Sequence, residues 1–209
     1  MAELDKSKSS NIDAENVLEG SILKTLWKLA VPIMIGNSMQ VLYNLVDTFW
    51  LGKVGADAVA SLSVGFPIIF LLISIGGGIT VAGTTLVSQY KGAGDEERTN
   101  KVASQILIFV MFISIILSIV GVRFNRQLLE LIGTPDKILT TAEGYLDIIM
   151  GGVSFMFLFF IFSALLRGYG DTKTPMRMMI ASTILNIILD PFLIFGWGFF
   201  PRLEVLGAG

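Results

Sequence analysis

Residues 41–50 read VLYNLVDTFW, and they lie inside the mostly apolar run 25–50 with Tyr43, Asn44 and Asp47 near its centre. The length of that run decides the fold. A helix rising 1.5 Å per residue needs about 20 residues to cross roughly 30 Å of hydrocarbon. The run 25–50 is long enough, and so are 58–89, 102–121, 138–166 and 175–196. Composition agrees, with 53% hydrophobic and only 15% charged residues and a mean hydropathy of +0.74. In lipid only helices and closed barrels satisfy their own backbone, and these runs far exceed a barrel strand of about 9–11 residues. The expected fold is all-α and integral to the membrane: a polytopic bundle of five transmembrane helices spanning 23–209, behind a polar cytoplasmic tail at 1–22.

The connections GKVGADA, KGAGDEERTNK, RFNRQLLELIGTPDK and RGYGDTKTPMR read as short polar links, which make consecutive helices antiparallel neighbours. Orientation follows from the basic residues. Lys6, Lys8, Lys24, Lys28, Lys91, Arg98, Lys101, Arg167, Lys173 and Arg177 fall on one side, and Lys53, Arg123, Arg126, Lys137 and Arg202 on the other, ten against five of the 15. The excess places the N-terminus in the cytoplasm. After five spans the sequence ends in LEVLGAG, and Gly207 to Gly209 read equally as the start of a sixth helix, so the chain is expected to be the first half of something larger.

Several chemistries are disfavoured by what is missing. With no Cys and no His, thiol redox chemistry, imidazole catalysis and the usual zinc and haem ligands are out of reach. A net charge of -2 without a basic cluster argues against nucleic acid. Neither GxxxxGK[ST] nor GxGxxG occurs, so no nucleotide cofactor is expected and the energy for any transport would come from an ion gradient.

What remains is a pair of acids in apolar surroundings. Tyr43 and Asn44 precede Asp47 by four and three residues, and Asn186 precedes Asp190 by four, so each acid shares a helix face with an amide. Both helices run from cytoplasm to outside, which brings the two acids to similar depth. Asp47 also reads as a headgroup residue near the helix end. Asp190, followed by Pro191 and the apolar FLIFGWGFF, is less easily placed there. An acid held inside a membrane is expected to face the bundle interior and to mark an ion or proton path. Burial and a second carboxylate disfavour the charged form, and a bound cation opposes both effects. Asp47, Asp190, Asn186, Tyr43 and Asn44 therefore form a candidate cation or proton site. Its all-oxygen donors suit a hard ion, with Asp47, Asn186 and Asp190 as candidate Na+ ligands. Pro32, on the helix that carries Asp47, is the candidate bend. Tyr145 reads as either an interfacial residue or a pocket wall, and Asp147 as interfacial.

These residues resemble the multidrug and toxic compound extrusion (MATE) family of transporters. The matching stretches are LAVPIMIGNSMQVLYNLVDTFWLGKVGADAVA, QYKGAGDEE, RGYGDTKTPM and LNIILDPFLIFGWG, in family order from about residue 21 onward. The resemblance implies a twelve-helix antiporter of two six-helix lobes around a central cleft, of which this chain is most of the N-terminal lobe and lacks the C-terminal one. It implies export of amphipathic small molecules across the plasma membrane, driven by Na+ or H+. By motif position it places Asp47, Asp190, Asn186 and Tyr43 in the N-lobe cation pocket and Tyr145 on the fourth helix beside the substrate cleft. Two competing readings are an intramembrane aspartyl protease, since residues 168–171 spell GYGD, and a non-transporting scaffold subunit. The protease reading suffers from its setting, because Asp171 lies between Arg167 and Lys173 in a polar link.

Overall fold

The structure is a computed structural model and describes residues 21–197 and 201–208. Five helices follow one another: α1 (Ile22–Val54), α2 (Ala56–Gly92), α3 (Glu96–Leu131), α4 (Asp136–Gly168) and α5 (Lys173–Phe195). Each is long and apolar enough to cross a membrane, and no strand occurs among the described residues. The expected tail lies outside the described residues except for Ser21 and Ile22, and Ile22 is already helical.

Every helix begins before the span read from hydropathy and all but α5 end beyond it, so the links between them shrink. Only Gly55 separates α1 from α2, with φ 150° and ψ 172°, a conformation that a side chain would obstruct. The largest difference is at α3. The stretch RFNRQLLEL, read as a link, continues the helix for ten residues beyond 121. Its charges ended the apolar run, but a helix packed on a neighbour needs only one buried face. Asn125 and Leu129 supply that face, while Arg126 pairs with Glu130 at 3.0 Å and with Glu143 of α4 at 3.1 Å.

Helix α4 is the axis of the bundle, packed against α2 on one side and α3 on the other. Its buried residues Met150, Val153, Phe157, Ile161 and Ala164 form the inner core with Leu72 and Val110. Thr84 of α2 donates to the Ala164 carbonyl at 3.2 Å, and Lys137 on the first turn of α4 meets Asp57 on that of α2 at 2.8 Å. Helix α1 packs chiefly on α5. Gly36 lets it approach the Met176 backbone, and the Thr183 hydroxyl donates across to the Met39 carbonyl at 3.4 Å. The molecule is thus a three-helix block, α2–α3–α4, with an α1–α5 pair laid against it.

Beyond α5 the chain turns back. Gly196 (φ 73°) ends the helix in a left-handed cap against the Arg202 backbone, and the Leu203 N–H donates to the Leu193 carbonyl at 3.0 Å. Residues Glu204–Ala208 form a 3-10 turn whose Val205 is buried with Leu51, Tyr145 and Ile194. Gly207 belongs to this turn, and Gly209 lies outside the described residues.

Candidate cation site between α1 and α5

Asp47 and Asp190 both face the interior, and the packing of α1 on α5 brings those faces together. Asp47 is 7% exposed and Asp190 3%. Each lies within electrostatic reach of the other, and the half-buried Tyr43 falls within the field of both. Tyr145, 4% exposed, approaches from α4 within reach of Asp47 and Tyr43. The site therefore sits on the seam between the α1–α5 pair and the three-helix block.

Its hydrogen bonding is incomplete in a particular way. The Asn186 amide N–H donates to Asp190 Oδ1 at 2.6 Å, one turn along α5. Asp47 Oδ1, Asp190 Oδ2 and Asn186 Oδ1 are buried and have no hydrogen-bond partner among the described residues. All three are acceptors. Pro191 adds to the excess, since it has no N–H to give the Ile187 carbonyl one turn before it. Buried acceptors left unmet are costly, and a positive species satisfies several at once. Among the described residues no three Asp, Glu, His or Cys gather as a metal cage. Two carboxylates with neutral oxygens form an all-oxygen donor set, which suits a hard cation or a proton.

The structure brings together Asp47, Asp190, Asn186 and Tyr43 of the residues anticipated for this region, and places others elsewhere. Asn44 does not join the pocket. It is exposed on α1, and only its carbonyl is engaged, by the Thr48 hydroxyl at 2.8 Å. The reason is angular: positions i-4 and i-3 flank Asp47 on opposite sides, and only the Tyr43 side turns toward α4 and α5. Tyr145 is a buried wall of the acid pocket, one of the two positions its sequence context allowed. Pro32 is buried, and α1 runs unbroken through it. Asp147 is half-buried in the α3–α4 seam, where buried Asn125 donates to it at 3.2 Å and to the Glu143 carbonyl at 3.1 Å. Asp171 ties the turn into α5, accepting from the N–H groups of Lys173 and Thr174 at 3.0 Å and from the Thr174 hydroxyl at 2.5 Å. Burial pushes its carboxyl up, but those hydrogen bonds and the Arg177 charge outweigh it and hold Asp171 below the usual aspartate value. That is a helix-entry residue, not a protease acid. Trp50 is the residue that sequence reasoning passed over: its indole Nε1 is buried without a partner, three positions after Asp47.

Comparison with known proteins now decides the family. A model described as MatE matches residues 32–192, which is most of the chain. The chain belongs to the MATE family. It is 37% identical to the probable multidrug resistance protein YoeA of Bacillus subtilis (strain 168), over 90% of this chain and 41% of that protein. It is 31% identical to a FAD transporter of Shewanella oneidensis, over 94% of this chain and 43% of the relative. Among solved structures, a multidrug resistance MATE transporter in an outward-facing conformation superimposes with a TM-score of 0.85 at 29% identity, covering 92% of this chain and 42% of the other. The MATE chain described here is accordingly a multi-pass membrane protein that spans less than half the length of these relatives, and its five helices correspond to part of an N-lobe.

Proposed function

We propose that this chain is the N-terminal lobe of a cation-coupled antiporter that exports amphipathic organic compounds by alternating access, with Na+ or H+ as the driving ion and a second lobe completing the cleft. The carrying observation is the set of three buried, unpartnered oxygens on Asp47, Asp190 and Asn186. An exposed polar row on α1, Asn37, Gln40, Asn44 and Thr48, adds support. Polar side chains are poorly tolerated against lipid tails, so this face suits a water-filled cleft and not the bilayer. The relatives named as multidrug proteins point the same way.

The physics of coupling is local. Two neighbouring carboxylates repel when both are empty, and a positive species between them removes that repulsion and draws α1 toward α5. Antiport requires that ion and substrate favour different arrangements of the seam, so that each displaces the state preferred by the other. The residues perform no covalent chemistry. The protein resides in the plasma membrane with its N-terminus in the cytoplasm, where the basic excess lies. In the full-length protein, Asp47→Asn and Asp190→Asn should each abolish gradient-driven export in proteoliposomes while membrane insertion and folding persist. Wild-type export by both variants would overturn the assignment.

A further inference from the structure

In addition to the three unmet acceptors of the acid pocket, the Trp50 indole N–H on α1 is a buried donor without a partner among the described residues. Helical side chains lean toward the N-terminus and cover the turn before their own Cα. The Trp50 side chain, three residues after Asp47, can therefore reach back toward that carboxylate. Its ring is fixed at both acid-bearing helices: edge-on to Phe195 of α5 at 5.9 Å between centroids and to Phe49 at 5.2 Å, with the Lys53 ammonium 4.6 Å from its centroid. Thr134 and Ser163 carry the other buried side-chain donors without partners among the described residues, and neither shares a helix with Asp47 or Asp190.

The chemistry of the donor matters. Asp47 is faced by Tyr43 on its own helix, Asp190 on α5 and Tyr145 on α4. Each of these has an oxygen that can ligate a cation. An indole N–H donates only, so any Asp47 lone pair that Trp50 occupies is closed to a cation. We propose that Trp50 is a positioning residue of the coupling site, its N–H donating to the emptied Asp47 carboxylate and competing with the driving ion. This rests on the reading of Asp47 and Asp190 as the coupling site, and it adds a competitor internal to the chain.

The test uses full-length protein with nitrogen-15 in its tryptophans, the Trp50 indole resonance being assigned by its loss in Trp50→Phe. At fixed pH and in sodium-free buffer, that resonance should differ between wild type and Asp47→Asn. Adding the ion that drives export should shift it in wild type and leave it unmoved in Asp47→Asn. One resonance position shared by wild type and Asp47→Asn would overturn the proposal. Trp50→Phe keeps the aromatic packing, so export should continue while the half-saturating concentration of the driving ion falls about two- to tenfold, the scale of one net hydrogen bond. An unchanged ion dependence in Trp50→Phe would overturn the role of Trp50 alone. Wild-type export by Asp47→Asn would instead overturn the coupling site on which it rests.

Discussion

Asn186 and Asn44 each stand about one helical turn before an aspartate, yet only Asn186 touches its acid. Asn186 donates to Asp190 at 2.6 Å and keeps a buried oxygen in reserve, whereas Asn44 faces away from the pocket. Removing Asn186 should therefore raise the half-saturating concentration of the driving ion, because it takes away the buried, unmet Asn186 Oδ1 as a ligand. Asn186→Ala should do this with little change in substrate binding, and Asn44→Ala should leave ion dependence as it is. Equal effects of the two substitutions in ion-titrated export assays would contradict the geometry. Spacing could show which residues share a helix face, but not which edge of that face a neighbour covers. Asn44 was misplaced for that reason. Trp50 went unremarked because its meaning depends on an unmet donor, which only packing reveals.

At the level of helices, the decisive features are where they begin and end. Gly55 is the whole of the α1–α2 link, and its φ of 150° with ψ of 172° belongs almost solely to glycine. Gly55→Ala should cost about 1–3 kcal/mol, read as a lowered midpoint of thermal unfolding in detergent. An unchanged midpoint would mean that the link adopts another conformation. Asp171 governs the entry to α5. Its carboxyl is held below the ordinary aspartate value, so the stability it contributes is present above about pH 4 and is lost as pH falls through its lower folded value. Asp171→Asn should lower the unfolding midpoint at pH 7 and flatten its decline below about pH 4. A wild-type pH profile in the variant would refute this. The existence of all five helices was legible from apolar length alone, because crossing lipid sets a minimum that no soluble core imposes. Their ends were not legible, as the extension of α3 to Leu131 illustrates: Arg126 and Glu130 look like a link until Glu143 of α4 is seen beside them.

For the molecule as a whole, the α1–α5 pair carries both acids and the α2–α3–α4 block carries the tyrosine that faces Asp47. This division could not be read from order along the chain, because the pair joins the first and last helices. The two acids and Asn186 stood out in the sequence, since carboxylates are rare where lipid surrounds a helix. Their convergence required the fold. The central claim is that the Asp47 and Asp190 carboxylates jointly receive the driving ion. Infrared difference spectroscopy of the full-length protein, recorded as that ion is added, observes the carboxylates directly. The account predicts carboxylate bands that change in wild type and lose distinct components in Asp47→Asn and in Asp190→Asn. Identical difference spectra in wild type and both variants would contradict it.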